Sequence, residues 1–90
     1  MTREDQFERN LALSAEFDLY LMEHPEVEAG LPDEATIVFM PEYDSELRVA
    51  NQKSLEARRA EGRQIVVIWV HELAPRRSRI AEPQIQLLPA

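Results

Sequence analysis

Apolar positions recur along residues 4–23 with a helical rhythm and then change to short continuous runs. Phe7, Leu11, Leu13, Phe17, Tyr20, Leu21 and Met22 fall on one side of a helix turning about 100° per residue. Asp5, Arg9, Glu16 and Glu23 fall opposite. The spacing therefore predicts a first helix from about Glu4 to Glu23, because Pro25 disfavours helical geometry at His24. The apolar arc covers close to half the circumference, wider than one buried face requires. Such a helix is expected to touch two surfaces, the sheet and a second subunit.

A polar line lies inside that arc. Asn10, Ser14 and Asp18 recur at every fourth position, so their side chains stack along the helix. Buried polar groups need partners. The line predicts a hydrogen-bonded network with another element, or the wall of a ligand groove.

HPEVEAGLPDEA reads as a connection with room for one helical turn after Pro25. TIVFM, Thr36 to Met40, is apolar and β-branched, and reads as a buried strand closed by Pro41. Asp44 suits an N-cap, with Glu46 in the first turn favouring the helix dipole. A second long helix follows from about Ser45 to Glu61, with Gly62 as its left-handed stop. Its inward face is unusual. Leu47, Ala50 and Ala57 alternate with Asn51, Ser54 and Arg58, so the face is small and polar, and Arg58 needs an acid or another partner.

A second strand is predicted from Gln64 to His71, apolar on both faces. Strand, helix and strand in this order give a right-handed crossover between parallel strands. Gln84 to Leu88, QIQLL, alternates weakly and predicts either a third, edge strand or an exchanged arm. The expected fold class is α/β, bordering on α+β, in one domain spanning 1–90, with 74–90 as a C-terminal arm or edge strand. Two or three strands with two apolar faces are hard to cover in 90 residues, which predicts a homodimer. Trp69, Phe17, Tyr20 and Leu21 are the candidate interface residues.

Composition narrows the function classes. Apolar residues make up 44% and charged residues 30%, ordinary for a globular protein. No apolar run reaches membrane-spanning length. The opening MTREDQFERN is not a signal peptide. These features predict a cytoplasmic protein without membrane association. Cysteine is absent, which excludes disulfides and thiolate metal sites.

Charge is divided along the chain. Residues 1–46 carry 13 acids and 2 bases, and residues 47–90 carry 4 acids and 8 bases. The net charge is −7. The split predicts mutual neutralisation, within the fold or across a dimer, or else a partner surface. Nine of the ten basic residues are Arg. Arg76, Arg77 and Arg79 follow the second strand, and Arg58, Arg59 and Arg63 lie before it. Guanidinium forks fit phosphates and carboxylates alike. Nucleic acid is disfavoured by the sequence pI near 4.7 and by the scarcity of aromatics interleaved with the arginines. The tail arginines are instead expected to meet carboxylates of the first helix or its following loop, in the same chain or a mate.

Catalytic signals are weak. His24 and His71 belong to no metal spacing. His24 with Glu26 and Glu28 is a poor ligand set, and a histidine ending a helix suits the dipole. His71 lies where a parallel strand ends, a usual ligand position in open α/β sheets, with Glu72 or an arginine able to poise it. Adjacent residues face opposite sides of a strand, however, so His71 and Glu72 are not expected to form a local pair. The serines lack a nucleophile elbow, and Gly30 and Gly62 are isolated. No enzyme activity, cofactor or metal is predicted.

NLALSAEFDLYLMEHPE, with TIVFMPEYD and PRRSRI, resembles a small bacterial family of unknown function. Its members share an N-L-x-L-S-x-E-F-D-x-Y-L…H-P-E opening and an arginine-serine-arginine tail. The resemblance spans most of the chain and implies no activity. It draws attention to Asn10, Ser14, Asp18 and Arg79. The leading expectation is an acidic homodimeric interaction module, regulatory or accessory. The alternative is a nucleic-acid or anionic-ligand binder using Arg58, Arg76, Arg77 and Arg79. An enzyme joining the Asn10 line to His71 ranks last.

Overall fold

The computed structural model describes residues 1–89. Its elements run α1 (Arg3–Glu23), α2 (Pro25–Ala29), β1 (Thr36–Pro41), α3 (Ser45–Ala60) and β2 (Ile65–Val70). The strands pair in parallel, with Val38 opposite Val67 and Met40 opposite Trp69. The result is a small mixed α/β fold in the order expected from the sequence.

Local chemistry explains where each helix begins and ends. The Thr2 hydroxyl accepts from the Asp5 amide and caps α1, a cap not anticipated from the sequence. His24 closes α1, its amide donating to the Tyr20 and Leu21 carbonyls. Pro25 then opens α2, where its missing N–H costs nothing. Asp44 caps α3 by accepting from the Leu47 amide. Gly62 follows α3 at φ +76°, in the region that glycine alone enters without strain.

The parallel register places Ile37, Phe39 and Pro41 on one face with Val66, Ile68 and Val70. There Leu13 of α1 and Leu47 of α3 bury Phe39, and Phe17, Ile68 and Val70 pack against them. Phe17 meets Phe39 edge to face, with centroids 5.8 Å apart. On the opposite face Val38 and Met40 are buried, yet Trp69 remains 54% exposed. The core is small and centred on β1, the strand against which α3 packs.

Residues 71–89 form no helix or strand, and all are exposed. The edge strand expected at Gln84 to Leu88 does not form within the single chain. Its alternation is weak, and no neighbouring edge lies alongside it. The segment is an exposed arm, and the molecule measures 66 Å along its long axis.

Adding a methyl group at Gly62 would meet nothing within 4 Å, so only backbone strain opposes it. Gly62→Ala is expected to lower stability by about 1 kcal/mol, with Gly62→Asn less damaging. The urea midpoint should fall while the slope stays constant.

Candidate functional site

The polar line of α1 meets the polar face of α3 at the outer edge of β1. Asn51 is 2% exposed, the sole buried polar side chain among the described residues. Its Nδ2 donates to the Phe39 carbonyl at 2.8 Å and to Asn10 Oδ1 at 2.8 Å. Its Oδ1 accepts from Asn10 Nδ2 at 3.0 Å and Gln6 Nε2 at 3.0 Å. A carbonyl can only accept, so the Phe39 contact fixes the amide orientation. Both donors and both acceptor positions of Asn51 are then used.

Gln6 also donates to Ser54 Oγ at 3.3 Å, and Ser54 donates to the Ala50 carbonyl. The network therefore comprises Gln6, Asn10, Asn51 and Ser54. This changes the sequence expectation at one end. Asn10 belongs to the network, whereas Ser14 is half-buried beside it and Asp18 is exposed. Helix α1 crosses α3 near its N-terminal half, so polar contacts extend backwards from Asn10. Gln6, four residues earlier, continues the same helical line and was legible on that spacing.

Beside this network runs a groove of about 600 Å³. Phe7, Leu11, Ser14, Ile37, Arg3 and Arg58 are among its lining residues, and no carboxylate is. Arg58 thus faces the groove as its helix position implied, but no acid pairs with it among the described residues. A second hollow of about 740 Å³ lies along β2, between Phe17, Tyr20, Val27, Trp69 and His71.

The ladder leaves both outer strand edges open. The Thr36 amide donates to the Gln64 carbonyl and the Glu42 amide to the Val70 carbonyl. Alternate residues in a strand direct their backbone groups to opposite sides. The backbone groups of Ile37 and Phe39 therefore point away from β2, and those of Ile65, Val67 and Trp69 away from β1. Asn51 satisfies the Phe39 carbonyl alone among these.

At the C-terminal end of the sheet, His71 Nδ1 lies 2.8 Å from a Glu42 carboxylate oxygen. That hydrogen bond and the Glu42 charge raise the His71 pKa, with Glu72 adding less. The partner is neither an arginine nor Glu72, which as the next residue in a strand is not expected to pair locally with His71. Glu42 faces His71 because both directly follow the paired positions Pro41 and Val70. His71 and the Asn10 network line different hollows, so the structure does not bring them together. Tyr43 nearby has its pKa raised, first by burial and then by Asp44 and Glu16. Arg9, on the solvated side of α1, bridges to Asp44 and Glu46.

His24 Nδ1 lies 2.9 Å from the Tyr20 carbonyl and its ring stacks on Tyr20 at 4.1 Å. The four candidate interface residues divide. Tyr20 and Trp69 are exposed, whereas Phe17 and Leu21 are half-buried, Phe17 through its contact with the core. Arg76, Arg77 and Arg79 are exposed. Their expected meeting with carboxylates of the same chain does not occur among the described residues, because the arm that carries them leaves the body.

The fold and these features define a small α/β domain with an open two-stranded sheet and a detached basic arm. The chain belongs to a family of unknown function, DUF5647, whose model matches residues 5–83. No curated protein and no solved structure matches it.

Two outcomes follow from this geometry. Asn51→Ala is expected to cost about 2 kcal/mol and Asn10→Ala about 1 kcal/mol. The double variant should cost clearly less than the sum, as a double-mutant cycle in urea would show. His71 should titrate above the usual 6.5 by NMR, and Glu42→Gln should lower that value. A raised histidine pKa stabilises the fold below the unfolded value, and the contribution disappears as pH rises through the folded one.

Proposed function

We propose that this chain is a homodimeric protein-interaction module of the cytoplasm, acting as a regulatory or accessory subunit without catalysis or cofactor of its own. One observation carries the reading. A two-stranded parallel sheet stands with both outer edges unpaired, and Phe7, Leu11 and Trp69 are exposed around it. Parallel sheets are normally covered on both faces, and an isolated two-stranded unit is marginal in water. Open edges beside apolar side chains favour pairing with another chain.

Sedimentation at micromolar concentration tests this directly. The expected species has about twice the 10.4 kDa chain mass. A monomer at tens of micromolar would remove the proposal.

A second reading rests on the arm. Arg76, Arg77 and Arg79 pair with no carboxylate among the described residues, so they are available to a phosphate or another anion. The net charge of −7 opposes a nucleic-acid polymer. A mobility shift at low salt, lost when these arginines become alanine, would favour this reading over the first.

A further inference from the structure

The arm and the β1 groove have complementary defects. Ile85 and Leu87 are 82% and 92% exposed. Two residues apart, they occupy the same side of an extended segment, with Gln84 and Gln86 on the other. The groove offers Phe7, Leu11 and Ile37 as apolar lining. It also offers the outward backbone groups of Ile37 and the Phe39 amide.

Charge points the same way. Residues 1–70 carry 15 acids and 7 bases, whereas residues 71–90 carry 2 acids and 3 bases. Between Asn10 and Leu47 there is no Lys or Arg, and ten acids lie there. Asp18 sits on the α1 line that continues Asn10 and Ser14 beyond the groove. At the other end of the groove are Arg3 and Arg58. An arm running from Asp18 towards Arg3 keeps its three arginines on acidic surface and its uncharged Gln84–Leu88 stretch on the apolar lining.

Area supports a second copy as the source of that arm. A compact 10.4 kDa monomer exposes roughly 5,400 Å², whereas this chain exposes 7853 Å². Its radius of gyration is 18.1 Å, against roughly 12 Å for a compact chain of this length. The surplus surface, about 2,400 Å², exceeds the roughly 800 Å² per partner that a stable interface buries. Much of it belongs to an arm that leaves its own body.

We infer that two copies exchange C-terminal arms, residues 84–88 of each adding a strand to the outer edge of β1 in the other while Arg76, Arg77 and Arg79 lie near Asp18 and the acidic far end of the other copy's α1. This rests on the homodimer proposal and names its interface. The exchange is reciprocal, so one contact repeated by a two-fold axis closes the assembly. Strand addition supplies main-chain hydrogen bonds, and the alternate side chains Ile85 and Leu87 supply register.

The chain has no cysteine, which makes cross-linking clean. One full-length chain carries Leu11→Cys, and a second, isotope-labelled, carries Leu87→Cys. They are mixed and treated with a short bismaleimide, and mass spectrometry reads which chains are joined. The expected product joins Leu11→Cys of one chain to Leu87→Cys of the other. A separate full-length variant, Ile85→Asp with Leu87→Asp, should keep its circular dichroism and weaken dimerisation by about a hundredfold or more.

Sedimentation separates the failures. A dimer with no such cross-link, unaffected by the two aspartates, overturns the arm exchange and leaves the homodimer standing. A monomer in which both cysteines placed on one chain join internally overturns the exchange in favour of a folded-back arm. A monomer with neither product overturns both.

Discussion

The fold depends on one side-chain amide. Asn51 joins α3 to the outer edge of β1 and to α1 at once, and each of its four hydrogen-bonding positions is filled. A buried amide with all partners present costs little, whereas removing one partner exposes the full desolvation penalty of the rest. The surrounding apolar cluster is small, with Leu13, Phe39 and Leu47 at its centre. In so thin a core the network does what extra hydrophobic volume does elsewhere: it fixes how α1 lies across the strand. Apolar packing alone tolerates sliding, but a reciprocal Asn10–Asn51 pair has one geometry.

That constraint has a consequence for the sheet. Asn51 occupies the Phe39 carbonyl, so β1 cannot pair along the whole of its outer edge. The groove beginning at Ile37 is what remains open, bounded by α1 on one side and α3 on the other. The network both closes part of the edge and shapes the rest. Its position at the meeting of three elements also explains why the groove lining mixes amides, apolar side chains and arginines without a carboxylate. The acids of α1 belong to its other face and its far end, while the arginines at the helix ends, Arg3 and Arg58, reach the same opening.

Much of this was legible in the sequence, for identifiable reasons. Helix boundaries were marked by Pro25, Asp44 and Gly62, whose backbone preferences act locally. The parallel strands followed from continuous apolar runs on either side of a helix-length segment. The polar faces of α1 and α3 were also visible, as Asn10 with Ser14 and as Asn51 with Ser54. Their mutual contact was not, because a spacing rule locates a face without giving the crossing of two helices. The crossing decides that Gln6 joins the network and Asp18 does not. The Glu42–His71 pair was hidden for a similar reason: the partners are distant in sequence and adjacent only through the strand register.

The tail arginines show where local reading and global charge part company. Their position after the most apolar segment resembles a binding motif, and the acidic first half suggests an internal counterpart. The structure places them where neither applies within one chain, on an arm with no helix or strand and, among the described residues, no carboxylate paired with them. Surface ion pairs contribute little individually, so charge alone would not hold the arm against its own body. The arm needs apolar burial as well, and Ile85, Leu87 and Leu88 carry that capacity beyond the arginines. Basic and apolar segments in series match a surface with acids beyond an apolar groove, and on α1 Asp18 continues the line of the groove towards the acidic far end of the helix.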